Sequence, residues 1–277
     1  MTLITRRRLL YASAATAVAG AGVGLYTWLV EPHWLEVVRR PLPIRGLPES
    51  LRGRTLAQLS DLHVGPRVAD SYIADTFNRV SALGPDIVVY TGDFTSYDTD
   101  VYTHAARVYA DAPRGRLATF GILGNHDYGP NWAHPEVAAR LTSQLEAFGI
   151  RMLRNEVAEI GGLQIAGMDE LWAHRFDPVR TLAALERDRP AVVLSHNPDS
   201  KSEIAHLPWN LMLSGHTHGG QCRIPGVNPT WTPVQDKRFV AGLYRWRDRQ
   251  LFISRGIGSP RHVRAFCRPE VSILEVG

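Results

Sequence analysis

Cysteine is scarce in this chain, with two thiols, Cys222 and Cys267, in 277 residues. Two are too few for a zinc ribbon or a disulfide framework. The fold must therefore rest on a hydrophobic core, which a chain of this length can bury as one large domain or two small ones. Whether the two thiols pair depends on the redox compartment, and the sequence leaves that open. Internal repeats and low-complexity segments are also missing. So is a charge excess in the body of the chain. The net charge is +4, but Arg6, Arg7 and Arg8 lie in a first stretch of thirty residues that has no acid, and without them the 31 basic residues fall to 28 against 27 acidic ones. With no clustered basic face, a stable nucleic-acid partner is not expected. Hydrophobic residues at 44% and charged residues at 21% are ordinary globular usage, which argues against disorder.

What is present begins with "TRRRLLYASAATAVAGAGVGLYTWLVEP". The arginine pair followed by a modestly apolar, Ala/Gly-rich stretch resembles a twin-arginine export signal. Residues 9–30 carry no charge and are long enough for a membrane span of about 20 residues. Trp28 and Trp34 would suit an interfacial belt. Ala17-Val18-Ala19 offers a small-residue cleavage site, yet the apolar stretch runs well past it, so an uncleaved anchor is preferred to a removed signal. The expected location is the periplasm or the extracytoplasmic face of the cytoplasmic membrane, with the twin-arginine machinery as a partner. That route carries folded proteins, so a metal could be loaded before export.

Pro41, Pro43, Gly46 and Pro48 read as a linker over 31–53, with a single domain over 54–277. Within it strand-like and helix-like patterns alternate: strands at 56–59, 87–90, 118–123, 163–166, 191–194 and 211–213, helices at 71–83, 101–110, 136–148 and 179–186. The alternation predicts an α/β architecture. Short strand-like runs follow at 239–246, 250–254 and 271–276.

Five strand exits carry carboxylate, amide or imidazole: "SDLHVG", "TGDFT", "GNHDYG", "SHNPD" and "SGHTHGG". One His-x-His pair could be a polar turn, but five such exits in order are not expected of independent turns. In open α/β sheets the loops beyond the carboxyl ends of strands form the ligand crevice. The inventory is Asp61, His63, Asp93, Asn125, His196, His216 and His218, with His126 and Asp127 alongside. Oxygen and imidazole donors without thiolate suit Mn, Fe or Zn. Seven exceed the needs of one tetrahedral ion and match two divalent ions with open positions.

These motifs, Asp61-x-His63, Gly92-Asp93, Gly124-Asn125-His126-Asp127, His196 and Gly215-His216-x-His218, resemble the five ordered motifs of the calcineurin-like metallophosphoesterases. The stretches "LSHNPDS", "PWNLMLSGHTHGGQ", "VQDKRFVAGLY" and "RGIGS" followed by "CRPE" resemble the family's exported phosphodiesterases of the YaeI/YkuE type. The resemblance implies a four-layer α/β/β/α sandwich with a two-metal site at the edge of its sheets. It puts Asp61, His63 and His218 on one ion, Asn125, His196 and His216 on the other, and Asp93 between them. His126 is then placed to protonate a leaving oxygen, with Asp127 orienting it. The implied activity is hydrolysis of a phosphodiester, lipid-linked or nucleotide, by a metal-activated water. Two alternatives stand beside it: a pyrophosphatase acting on a nucleotide-activated lipid such as UDP-diacylglucosamine, and a non-catalytic metal-binding scaffold. The scaffold is disfavoured because every expected ligand is present. Weaker candidates are Arg264, Lys237 and Arg238 as anion contacts, a Pro-rich loop with Trp231 as a lid, and Cys222 as a redox group. His104, His134, His174, His206 and His262 match no motif and are expected at the surface.

Overall fold

The computed structural model of the protein describes residues 5–96, 101–224, 226–227 and 232–277. Strands among them are β1 (Glu36–Leu42), β2 (Thr55–Leu59), β3 (Ile87–Thr91), β4 (Ala118–Ile122), β5 (Arg151–Met152) and β6 (Glu156–Ile160). They continue with β7 (Leu163–Gly167), β8 (Ala191–Leu194), β9 (Leu211–Ser214), β10 (Gly242–Trp246), β11 (Arg249–Ile253) and β12 (Glu270–Val276). The α-helices are α1 (Arg6–Leu25), α2 (Asp70–Leu83), α3 (Val101–Tyr109), α4 (Pro135–Ala147), α5 (Pro178–Ala183) and α6 (Ser200–Glu203).

The strands form two six-stranded sheets, ordered β1-β12-β2-β3-β4-β5 and β10-β11-β9-β8-β7-β6. Within them β2, β3, β4 and β5 run parallel, as do β7, β8, β9 and β11. Successive side chains of a strand face opposite ways, and here each face has its own partner. Leu56, Ile87 and Val89 meet Val192, Leu194, Leu211 and Leu213 between the sheets. Their neighbours Ala57, Leu59, Val88 and Tyr90 pack under Ile73, Phe77, Ala105, Tyr109, Leu141 and Leu145 of α2, α3 and α4. On the far side, Val193 and Met212 pack with Leu182 of α5 and with Ile204. The central strands are buried on both faces, hence their near-continuous apolar runs. The result is the four-layer α/β/β/α sandwich expected from the sequence.

The stretch read as a linker contributes a strand: β1 lies at the sheet edge and pairs in parallel with β12, Glu36 opposite Glu270. Pro41 hid it, since proline forbids a central strand but is tolerated at an edge. N-terminal to β1, α1 stands away from the domain with its described side chains exposed, and the segment Leu10–His33 is long and apolar enough to cross a membrane.

At the end of the sheets away from the strand exits, Asp86 holds β2 and β3 together. Its Oδ2 accepts from the Thr55 amide (2.9 Å) and hydroxyl (3.1 Å), and its Oδ1 accepts from Arg116 (2.9 Å) and Arg54 (3.2 Å). Burial pushes this carboxyl up, but the Thr55 hydrogen bonds and Arg116 outweigh it and hold it below its ordinary value of 3.8. Asp86→Ala should therefore lower stability by about 1–2 kcal/mol, mostly by stranding the half-buried Thr55 donors, read as a lower urea midpoint. Because the folded pKa is depressed, the wild-type advantage is complete above the ordinary carboxylate range and fades as pH falls through the folded value. An equal gap between the two proteins at neutral and strongly acidic pH would contradict this.

Candidate metal centre

The parallel strands β2, β3 and β4 of one sheet and β8 and β9 of the other bring their carboxyl ends to one edge. Gln58 ties the sheets together beneath it, its Nε2 donating to Thr91 Oγ1 and to the Ser214 carbonyl, both at 2.9 Å. The loops above are held left-handed. Asp61, His63 and Asp93 have φ of 53–54°, His216 has 70° and His218 has 48°. Non-glycine residues avoid this region at a cost of order 1–3 kcal/mol each, and such strain gathers at functional sites. Gly92, at φ 90°, could not be otherwise, because a Cβ there would stand 2.6 Å from the Gly124 nitrogen and 2.7 Å from His196 Nδ1.

Two groups of donors result, each with all its ligand atoms within 4.8 Å of one another: Asp61, His63, Asp93 and His218, and Asp93, His196 and His216. Asp93 belongs to both. In the first, His63 Nε2 lies 3.1 Å from His218 Nε2 and 3.5 Å from Asp93 Oδ2, and His218 Nε2 lies 3.4 Å from Asp61 Oδ1. In the second, His196 Nε2 is 3.2 Å from both Asp93 Oδ2 and His216 Nδ1. His216 and His218, one residue apart, thus face different groups. Second contacts fix the rings. His196 Nδ1 donates to the Thr91 carbonyl (2.7 Å) and His216 Nε2 to the Pro233 carbonyl (2.9 Å), which turns the remaining nitrogen of each ring toward the cluster. The His216 amide donates to both oxygens of Asp61 at 3.0 and 3.1 Å.

All seven predicted ligands are buried. Burial pushes the Asp61 carboxyl up to about 6 and the His63 and His216 imidazoles down to about 3, with His218 also well below its ordinary range. Neutral imidazole is the form that binds metal. Burial pushes the Asp93 carboxyl up as well, but the His196, His126 and His63 imidazoles hold it well below the carboxylate range. Burial would lower His196, yet the Asp93 carboxylate raises it to about 10. The Asp93 carboxylate thus favours positive charge at this point of the cluster, which a bound cation would supply.

The donor set fits a divalent metal on further grounds. The Asn125 Oδ1 atom is buried and accepts no hydrogen bond in this structure. An orphaned amide oxygen of this kind costs free energy unless something electropositive meets it. With three carboxylate or amide donors and four imidazoles, the ligands are those of a hard-to-borderline cation.

His126 lines the cavity above this cluster. Its backbone N–H donates to Asp93 Oδ1 at 2.9 Å, and its ring meets His63 edge-on at 4.7 Å between centroids. Asp127, expected to orient the His126 ring, accepts from the Thr95 amide (3.0 Å) and hydroxyl (3.3 Å) and the Gly124 amide (2.8 Å), which ties down the loop that carries His126.

The cavity holds about 900 Å³ and includes Trp132 and Trp172, whose rings lie 4.6 Å apart, with Trp172 edge-on to His216 at 4.4 Å. The sequence reading missed both tryptophans, which come from separate segments and carry no local pattern. Arg264 is corrected: it is fully buried and donates to the carbonyls of Cys267, Arg255, Gly256 and Gly258, which leaves it no access to a substrate. Arg238 pairs with Asp236 at the surface, and Lys237 donates to the Thr232 carbonyl. Trp231 lies outside the described residues. Both cysteines are free thiols, Cys222 exposed and Cys267 buried. His104, His134, His174, His206 and His262 are exposed or half-buried, as expected.

A two-sheet sandwich with such a cluster at its edge defines a metal-dependent phosphoester hydrolase, and the chain belongs to the calcineurin-like phosphoesterase family, whose model matches residues 54–220. Phosphodiesterase YaeI of Escherichia coli is 36% identical over 281 residues, covering 99% of this chain and 100% of that protein. The uncharacterized metallophosphoesterase YkuE of Bacillus subtilis is 30% identical, covering 95% of this chain and 92% of its own length. UDP-2,3-diacylglucosamine pyrophosphatase LpxG of Chlamydia muridarum is 24% identical over 94% of this chain and 95% of its own. Among solved structures, the NAD nucleotidase NadN of Haemophilus influenzae shares the fold at a TM-score of 0.51 and 14% identity, covering 74% of this chain and 46% of that one.

Proposed function

We propose that the protein is a phosphodiesterase that uses two divalent ions, drawn from Mn, Fe and Zn, on the outer side of the cytoplasmic membrane. The observation that carries this reading is the place of Asp93 in both donor groups. Asp61, His63 and His218 would hold one ion and Asn125, His196 and His216 the other, with Asp93 shared between them. Two divalent cations bound there supply an acidified water as nucleophile and neutralise charge that builds on the phosphoryl oxygens. The chain's own residues do the rest. His126 hands a proton to the leaving oxygen from its cavity-facing ring. Asp127 fixes the loop from which His126 projects, and the Thr91 and Pro233 carbonyls orient the His196 and His216 rings toward the cluster. Residues 54–277 form the catalytic domain, with β1 completing its first sheet, and residues 1–30 serve as a twin-arginine signal or anchor.

A second reading is favoured by the relative LpxG, a pyrophosphatase of a nucleotide-linked lipid, together with the Trp132 and Trp172 pair in a roomy cavity. A flat base could stack there while the pyrophosphate meets the cluster.

The test is metal analysis together with hydrolysis of an aryl phosphodiester and an aryl phosphomonoester. Diester turnover should fall by at least about 10²-fold on chelation, the scale of lost metal catalysis, and return with added Mn. Turnover of the monoester alone would sink the diesterase reading. Diester turnover indifferent to chelation would sink the metal-centred one.

A further inference from the structure

The end of the apolar N-terminal segment does not hang free of the domain. The Arg264 amide donates to the Thr27 carbonyl at 3.0 Å, the Cys267 amide donates to the buried Glu31 carboxylate, and Arg268 Nε donates to the Trp34 carbonyl at 3.0 Å with its guanidinium over the indole. His33 stacks edge-on with Tyr72, whose hydroxyl donates to the Ile257 carbonyl. The loop that receives these contacts also abuts the ligand cluster. Cys267 Sγ donates to the His218 carbonyl at 3.3 Å, the Gly258 amide donates to the Asp61 carbonyl at 2.7 Å, and Pro260 and Arg261 line the cavity mouth.

A second loop is zipped to the first: Arg223 donates to the Ala265 carbonyl (2.8 Å) and Ala265 to the Gln221 carbonyl (3.0 Å). Between the end of the apolar segment and the cavity mouth, these two loops expose large apolar side chains, Phe266 at 68%, Ile224 at 69% and Val227 at 53%. Phe266 does so at φ 52°, a conformation costly for an aromatic residue. A water-facing loop gains nothing from that arrangement. An apolar boundary layer repays it through the buried ring area.

We propose that this face, from Trp28 and Trp34 through Phe266 to Ile224 and Val227, lies against the lipid bilayer, so that the catalytic cavity opens at the membrane surface. The inference rests on reading the N-terminal segment as a retained anchor. The occupant follows from continuity: the loop that carries Phe266 is bonded through Arg264, Cys267 and Arg268 to Thr27, Glu31 and Trp34, at the end of the apolar segment Leu10–His33. Phosphate esters carried on lipids would reach the cluster without leaving the membrane, and Gln221, Pro260 and Arg261 at the mouth would meet the headgroup layer first.

The test uses the full chain in phosphatidylcholine vesicles containing phosphatidylglycerol, with Cys222→Ser as background and single spin labels introduced through Ile224→Cys, Phe266→Cys and Asp188→Cys. Asp188 is an exposed residue preceding β8, at the opposite end of that strand from His196. Labels at 224 and 266 should collide with lipid-dissolved oxygen in preference to an aqueous nickel chelate, at a depth of about 5–10 Å, whereas the label at 188 should show the reverse. Nickel-dominated collisions at all three positions would overturn the proposal. So would shielding of 224 and 266 from both reagents, which marks a protein partner in place of lipid. Aryl phosphodiester turnover by the same preparations tests the hydrolase reading separately: its absence alongside a lipid-exposed 266 would defeat that reading and leave the orientation standing.

Discussion

Asp93→Asn is expected to lower kcat/KM for an aryl phosphodiester by about 10³-fold, or about 4 kcal/mol of transition-state stabilisation, and to lower metal content with it. The carboxylate is the one ligand shared by both donor groups, it approaches His63 and His196 through Oδ2, and its Oδ1 receives the His126 amide. An asparagine keeps the shape but loses the charge and offers one oxygen where two are used. Each donor group loses an anion, and the His63 and His196 rings lose the carboxylate beside them. Metal analysis on dialysed protein reads the first effect and steady-state kinetics the second. Full metal occupancy with lost turnover would mean that Asp93 acts on substrate and not on the ions.

His126→Ala should give a comparable loss of turnover by a different route. General acid catalysis contributes about 10²–10⁴-fold, and the demand for it grows with the basicity of the leaving group. The variant should therefore lose about 10³-fold toward an alkyl leaving group and much less toward nitrophenolate, which departs without help. Metal content should stay close to that of the wild type. The structural reason is that the link from residue 126 to Asp93 is made by the backbone N–H, which alanine retains. Equal metal loss in this variant and in Asp93→Asn would merge the two roles. A loss independent of leaving group would remove the proton-donor role.

The site was legible in the sequence because its chemistry sits where strands end. Leu211 to Leu213 is apolar without interruption and Leu56 to Leu59 is broken only by Gln58, since both faces of β2 and β9 are covered, so the polar residues that follow stand out sharply. What stayed hidden depends on chain geometry or on distant segments. β1 was read as a linker because Pro41 argues against a strand, and only its edge position beside β12 makes proline harmless there. Arg264 looked like an anion contact because an arginine near a glycine turn usually is exposed, yet the carbonyls of the loop fold around it. The left-handed backbone at Asp61, His63, Asp93, His216 and His218 leaves no trace in composition, since none of these positions is a glycine. Asp127 sits beside His126 in sequence but turns to Thr95 and Gly124, a direction set by the tight helical turn over Asn125–Tyr128.

The first sheet also constrains how the protein can be made. β12, the strand synthesised last of the twelve, is inserted between β1 and β2, the two synthesised first. While the chain is still emerging from the ribosome, β1 has no neighbour and β2 presents an unsatisfied edge. The first sheet can be completed only once β12 is available, through pairings between strands far apart in sequence, which are slow to form. Completion of the first sheet is thus a late step of folding. A translocation route that waits for finished proteins would tolerate that delay, whereas one that threads nascent chain would have to rebuild the sheet on the other side.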